Sequence, residues 1–128
     1  MFDLILRSGT VVTPQGVMLQ DVAISGQTIS AIANCGTFTD QDAKRCIDVA
    51  GKIVIPGGID PHVHCKWIMP MPDGSTGFTD GPEIVSRAAL FGGTTTMIDF
   101  AARLDDIPFR EVIAKRDKDW VGNCYCDY

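Results

Sequence analysis

The two histidines of the sequence stand one residue apart, in the stretch PGGIDPHVHCKW from Pro56 to Trp67. Because side chains alternate along a strand, His62 and His64 would point to the same side of an extended chain. Two imidazoles at one strand end can bind a divalent cation, at ~2.0–2.1 Å per nitrogen for zinc. An H-x-H tripeptide also arises by chance at strand ends, but the Gly-Gly break before it and the long loop after it favour a metal site.

The elements that would position this pair begin with the strand GGIDPHVH. Its histidine side also carries Asp60, while Ile59 and Val63 would face covering helices. The stretch CKWIMPMPDGSTGFTD predicts a loop of about 16 residues, a length that is typical of functional loops.

A helix and a strand are predicted after this loop. The helix GPEIVSRAALFGG has Asp80 as its candidate N-cap and ends at a Gly-Gly pair, with Ile84, Ala88 and Phe91 on one face. TTTMIDFA predicts a strand buried on both sides, IPFREVIAKRDKDW a second helix, and GNCYCDY the start of a third strand. This order predicts a parallel β-α-β sheet, in which chemistry occurs at the carboxyl ends of the strands.

The first 50 residues predict short strands, including a hairpin around Ser25-Gly26, which need a partner sheet to bury their second face. The net charge of −5, with scattered basic residues, argues against nucleic acid and anionic membranes as partners. No apolar run reaches the roughly 18–20 residues of a membrane span. Five irregularly spaced cysteines indicate reduced thiols in a cytoplasmic protein.

Several of these stretches together resemble one family. GKIVIPGGIDPHVH resembles the first barrel strand of the amidohydrolase superfamily, in particular of its cyclic amidohydrolases, the dihydropyrimidinases and hydantoinases. SRAALFGGTTTMIDFA resembles the next helix and strand, CYCDY the third barrel strand, and MFDLILRSGTVVTP the N-terminal strands. The resemblance covers essentially the whole chain in the right order.

The resemblance implies an α/β fold with two parts. Residues 1–52 would be strands of a small β-sandwich, and residues 53–128 the first three strands and two helices of a (β/α)8 TIM-type barrel. The chain has about half of the ~250 residues of a complete barrel. We therefore expect it to be an N-terminal fragment that is inactive by itself.

The same resemblance implies the ligands of a metal centre. His62 and His64 would bind the more buried of two metal ions, usually zinc, which a carbamylated lysine and a hydroxide bridge. No catalytic residue is expected within this chain, because the lysine, two further histidines and a proton-shuttling aspartate lie on later strands. Asp60 would either orient a ligand or cap backbone amides.

The loop after the histidines matches the stretch that flanks the substrate pocket of hydantoinases. Trp67, Ile68 and Met69 would form an apolar wall of this pocket or pack beneath the loop. Lys66 departs from the Gln or Asp of hydantoinases, whereas dihydroorotases carry an arginine there that grips a substrate carboxylate. Lys66 therefore contacts an acidic substrate or lies in solvent.

The implied activity of the parent polypeptide is metal-dependent hydrolysis of a cyclic amide. A dihydropyrimidine or hydantoin ring would open to an N-carbamoyl amino acid, in a homotetramer. A dihydroorotase- or allantoinase-type hydrolase is an alternative. Two others are a non-catalytic dihydropyrimidinase-like binding protein, against which the retained histidines argue, and a small domain that binds metal weakly.

Overall fold

The computed structural model describes residues 1–103 and 106–128, which divide into two compact units, Met1–Pro56 and Gly57–Tyr128. The first unit is a mixed sheet of five strands: β1 (Leu4–Thr13), β2 (Gly16–Ser25), β3 (Thr28–Asn34), β4 (Cys46–Asp48) and β5 (Ile53–Val54). The strand order is β3-β2-β1-β4, and β5 also pairs with β1. The predicted hairpin is confirmed, because β2 and β3 pair antiparallel with Ser25 opposite Thr28.

The second unit is built on a parallel strand pair. Its elements are β6 (Gly58–Val63), β7 (Ile68–Pro70), β8 (Thr76–Phe78), α1 (Pro82–Phe91), β9 (Thr94–Asp99) and α2 (Phe109–Trp120). β6 and β9 pair in parallel and α1 connects them, which is the predicted β-α-β arrangement. The core of this unit is a buried cluster of Val63, Cys65, Met97 and Trp120.

The stretch after the histidines differs from its prediction, because it contains a β-hairpin rather than a plain loop. β7 and β8 pair antiparallel. Asp73 Oδ1 accepts a hydrogen bond of 2.9 Å from the Ser75 amide, and Gly74 adopts a φ of 83°. Asp-Gly is a strong turn signal, so the sequence contained the information that predicts this hairpin.

α1 begins one residue later than predicted. Gly81 is its N-cap and makes no side-chain cap hydrogen bond, and Pro82 occupies the first helical turn. Asp80 is therefore not the cap. Its main-chain oxygen instead accepts a hydrogen bond of 3.0 Å from the amide of Lys66.

The apolar face read from the α1 sequence is exposed. Ile84 is 59% and Phe91 89% exposed, whereas Val85 and Ala89 pack against the core cluster. Periodicity identifies helix faces, but tertiary contacts decide which of them is buried.

β9 is buried on one face only, contrary to the prediction that both sides are covered. Met97 is 1% exposed but Ile98 51%, and Ile59 on β6 is also exposed rather than covered by a helix. Within residues 1–103 and 106–128, the helices pack against one side of this sheet. The open side therefore exposes apolar side chains.

The third strand, predicted over residues 122–128, is reduced to one parallel bridge between Thr96 and Asp127. Residues 121–123 form a turn after α2, with Gly122 at a φ of 72°, and residues 125–126 form a bend before the bridge at Asp127. In the part of the chain that the structure describes, no helix is long and apolar enough to cross a membrane.

Candidate metal centre

His62 and His64 lie side by side at the carboxyl end of β6. Their Nε2 atoms are 2.9 Å apart and their ring centroids 4.9 Å apart. Both residues are exposed, on the open side of the sheet rather than in the core. The structure thus brings the two imidazoles together, as strand alternation predicts.

The pair fits a divalent ion of the zinc type. Neutral imidazole nitrogens are zinc ligands, and donors 2.9 Å apart can share one ion at ~2.0–2.1 Å from each. Among the described residues, no group of three or more His, Cys, Asp or Glu side chains is arranged to hold an ion. Because catalytic zinc sites have three protein ligands, a complete site needs a third donor in addition to His62 and His64.

Aromatic rings pack against both imidazoles. The Phe100 centroid lies 4.6 Å from that of His62 and 5.0 Å from that of His64, with an interplanar angle of 19° to the latter. The Trp67 ring meets His64 edge-on at 4.4 Å. Sequence reasoning missed Phe100, although its place directly after the strand TTTMID could have indicated a position at the site.

Asp60 acts on the backbone of the histidine strand. Its Oδ1 accepts a hydrogen bond of 3.1 Å from the main-chain amide of His62. Of the two roles expected for Asp60, the capping of an amide is the one present in the structure. Orientation of a metal ligand stays a prediction.

Two hydrogen bonds fix the main chain directly after the histidines. Thr79 Oγ1 donates to the His64 oxygen at 2.6 Å, and Arg116 Nη2 donates to the Cys65 oxygen. Thr79 follows β8, and Arg116 lies on α2. Sequence reasoning singled out neither residue for this role, because both contacts join segments distant in sequence.

The Cys65 side chain lies in the core cluster, away from the histidines, and is fully buried. Burial raises the pKa of this thiol from 9.0 to about 11. Because the thiolate is the form that binds metals, the raised pKa disfavours metal binding by this thiol. Cys65 is therefore a core residue.

Lys66 forms an ion pair rather than lying free in solvent. Its Nζ is 3.0 Å from Oδ1 of Asp119, and its side chain is 49% exposed. Its φ of 49° is in the left-handed region, which is uncommon for residues other than glycine. The positive charge expected to meet an acidic substrate is thus already balanced by a carboxylate.

Three of the four predicted pocket residues line one cleft of about 480 Å³. This volume is within the range of about 300–1,000 Å³ that small-molecule sites have. The lining includes Lys66, Trp67, Ile68, Phe78, Phe100 and Arg116. Met69 is not among the described residues that line it, so its predicted role in the pocket wall has no support in this geometry.

Asp99 is a hydrogen-bonded residue at the end of β9. Its Oδ2 accepts from Nε1 of Trp120 at 2.8 Å and lies 2.8 Å from Nη2 of Arg116. Its Oδ1 accepts from the Phe100 amide at 2.7 Å. Asp99 therefore connects the end of β9 to α2.

No model of a known protein family matches the chain. It is 39% identical over 126 residues to a D-hydantoinase of Streptomyces coelicolor, covering 97% of this chain and 26% of that protein. It is 36% identical over 124 residues to a D-hydantoinase of Geobacillus stearothermophilus, covering 97% and 25%. An allantoinase of Salmonella paratyphi B is 35% identical over 121 residues, covering 94% and 23%.

Solved structures show the same relationship. A D-hydantoinase superposes with a TM-score of 0.82 at 33% identity, covering 100% of this chain and 26% of the other. A dihydropyrimidinase from Brevibacillus agri gives 0.82 at 35% identity, with coverage of 100% and 26%. A D-aminoacylase described by its binuclear metal centre gives 0.55 at 28% identity, covering 81% and 20%.

The chain spans about a quarter of the length of the curated relatives that it matches. The agreement extends over both of its units, because the alignments include nearly all of its residues. In sequence and in fold, the chain matches the N-terminal portion of the cyclic amidohydrolase branch of the amidohydrolase superfamily.

Proposed function

We propose that this chain contributes two metal ligands, His62 and His64, to a metal-dependent hydrolase that opens cyclic amides. The observation that carries the proposal is the 2.9 Å separation of the two Nε2 atoms at the carboxyl end of a parallel strand. The names of the relatives, D-hydantoinase and allantoinase, support the substrate class. In the proposal the ion is zinc, the first of two.

The proposal assigns the two parts of the chain to the family's architecture. Residues 1–52 would belong to a β-sandwich, and residues 53–128 to the first part of a (β/α)8 barrel. β5, although it begins at Ile53, pairs with β1 in the first unit. The parallel pair of β6 and β9 with its connecting helix supports the barrel assignment, since such barrels repeat this unit.

The residues of this chain would bind and orient the ion. His62 and His64 would donate their Nε2 lone pairs, with the Phe100 and Trp67 rings limiting solvent around the imidazoles. A bound divalent ion would lower the pKa of a water to about 7 and would polarise the amide carbonyl. The group that gives the leaving nitrogen its proton is expected on strands beyond the matched portion, as the family resemblance implies.

The Lys66–Asp119 pair supports a neutral ring as substrate. A lysine that grips a substrate carboxylate needs an uncompensated charge, whereas Lys66 Nζ already lies 3.0 Å from Asp119. The hydantoin ring is therefore favoured over an acidic dihydroorotate-type ring. We extend the proposal to a homotetramer on the basis of the family resemblance, and to a cytoplasmic location on the basis of the reduced cysteines.

The decisive experiment uses the polypeptide that the native gene encodes. His62→Ala and His64→Ala are each expected to lose bound zinc, measured by atomic absorption, together with hydantoin ring opening. Thr76→Ala, on an exposed position of β8, is the control and should retain both. Full zinc content in either histidine variant would refute the ligand assignment.

A further inference from the structure

We propose that Arg116 and Thr79 are positioning residues, which hold the two peptide groups after His64 so that its imidazole stays beside that of His62. The inference rests on the proposed function, because the orientation of the His64 imidazole matters only if His62 and His64 bind an ion. It assigns a role in the site to α2 and to the segment after β8.

The position of His64 explains why it needs such support. β6 ends at Val63, so His64 lies one residue beyond the last strand residue. The chain then turns sharply, with Lys66 at a φ of 49°. Outside the strand, other hydrogen bonds must define the backbone, since the direction of an imidazole follows from its own main chain.

Thr79 provides one of these hydrogen bonds. Its hydroxyl donates to the His64 oxygen at 2.6 Å and accepts from the Trp67 amide at 2.9 Å. The amide of Thr79 also donates to the Trp67 oxygen at 2.9 Å. The Thr79 hydroxyl therefore links the main chain of His64 to that of Trp67, whose ring packs against the His64 imidazole.

Arg116 provides the second. Its Nη2 donates to the Cys65 oxygen and pairs with Asp99 Oδ2 at 2.8 Å, and its Nη1 lies 3.4 Å from Asp119 Oδ2. Its side chain is only 16% exposed. A planar guanidinium can bind several acceptors at defined angles, which the point charge of lysine cannot reproduce. Arg116 thus ties the ends of β6 and β9 to α2.

The test measures the metal affinity of the metal-free polypeptide from the native gene. Zn²⁺ is titrated against a chromophoric chelator, and Co²⁺ is added separately so that its visible absorption reports ligand geometry. The variants are Arg116→Lys and Thr79→Val. Thr79→Ser keeps the hydroxyl, and the matched controls Arg110→Lys and Thr76→Val alter exposed positions on α2 and β8.

We expect Arg116→Lys and Thr79→Val each to weaken zinc binding by about 10–100-fold, the usual effect of removing groups that orient metal ligands. The Co²⁺ absorption band should change in the same two variants. Thr79→Ser and both controls should keep the native affinity and spectrum.

Folded Arg116→Lys and Thr79→Val proteins with native zinc affinity and an unchanged Co²⁺ band would overturn the inference, even if their thermal stability falls. If Arg116→Lys does not fold, the comparison of Thr79→Val with Thr79→Ser decides by the same criteria. Native zinc affinity in His62→Ala is a separate result, which would refute the proposed function rather than the positioning role alone.

Discussion

The indole nitrogen of Trp120 donates a hydrogen bond of 2.8 Å to Oδ2 of Asp99. Trp120 is fully buried in the core of the second unit, and its ring stacks on Tyr128 with centroids 5.1 Å apart. Because Asp99 is the last residue of β9, this bond fastens α2 to the strand end that carries Phe100. The same carboxylate pairs with Arg116, so one oxygen serves two donors from α2.

Asp99→Asn should destabilise the second unit strongly. The substitution removes the shorter ion pair of Arg116, whose side chain is 16% exposed, and leaves Asp119 at 3.4 Å as its charged partner. Breaking a buried ion pair costs about 3–5 kcal/mol, and we expect the free energy of unfolding to fall by about 3 kcal/mol. Hydrogen exchange of the amides in residues 94–100 measures this loss. The control Glu83→Gln breaks the exposed pair with Arg87 and should cost less than about 1 kcal/mol. Equal losses would contradict this assignment.

The pair Gly57-Gly58, where β6 begins, has a steric role at its first position. A Cβ on Gly57 would lie 2.0 Å from Thr95 Oγ1 and 2.7 Å from Thr95 Cβ, so rotation of the threonine cannot relieve the clash. Gly57→Ala should separate β6 from β9 and cost about 1–3 kcal/mol, measured by denaturant unfolding.

Two companion variants sharpen the Gly57 prediction. At Gly58 the nearest atom to an added methyl group is Thr94 Oγ1 at 3.3 Å, so Gly58→Ala should cost less. The double variant Gly57→Ala with Thr95→Gly removes the clashing side chain and should recover part of the loss. A double variant less stable than Gly57→Ala alone would argue against this steric explanation.

Cys65 should make stability fall at alkaline pH. Burial raises its pKa from 9.0 in the unfolded chain to about 11 in the folded one. Between these values the unfolded chain releases the thiol proton and the folded chain retains it, so rising pH favours unfolding. Well below pH 9, where both states keep the proton, this thiol contributes no pH dependence.

The comparison with Cys65→Ala isolates this contribution from other groups that titrate in the same range. The native protein should lose about 2 kcal/mol more than the variant between pH 8.5 and pH 11, because one pKa unit corresponds to about 1.4 kcal/mol. Denaturant unfolding at a series of pH values provides the measurement. Parallel pH profiles for the two proteins would show that Cys65 ionises equally in both states.

Lys66→Gln should leave the KM for a neutral hydantoin within about threefold of the native value, a change of less than ~1 kcal/mol. In the native protein the charge of Lys66 is balanced by Asp119, so this lysine contributes little to binding a neutral ring. Asp119→Asn is the informative partner variant, because it frees Lys66 and should lower the KM for a ring that bears a carboxylate. A tenfold rise in hydantoin KM for Lys66→Gln would point to direct contact with the neutral substrate.

The sequence by itself determined the features that depend on local periodicity. A strand repeats every two residues, so the common side of His62 and His64 and the opposite direction of Cys65 followed from their spacing. The alternation of strands and helices after Pro56 was also readable, because each element carries its own pattern of apolar residues and turn signals. The turn signal Asp73-Gly74 was equally readable in the sequence, although the stretch that contains it was predicted as a loop rather than a hairpin.

Only the tertiary structure decided which surfaces and distant groups meet. The α1 sequence offers two apolar faces, and packing against the core cluster partly buries Val85 and Ala89 while Ile84 and Phe91 stay exposed. The hydrogen bond from Arg116 to the Cys65 oxygen joins residues 51 positions apart. No local pattern encodes such a contact, because it exists only once α2 has packed against the ends of both strands.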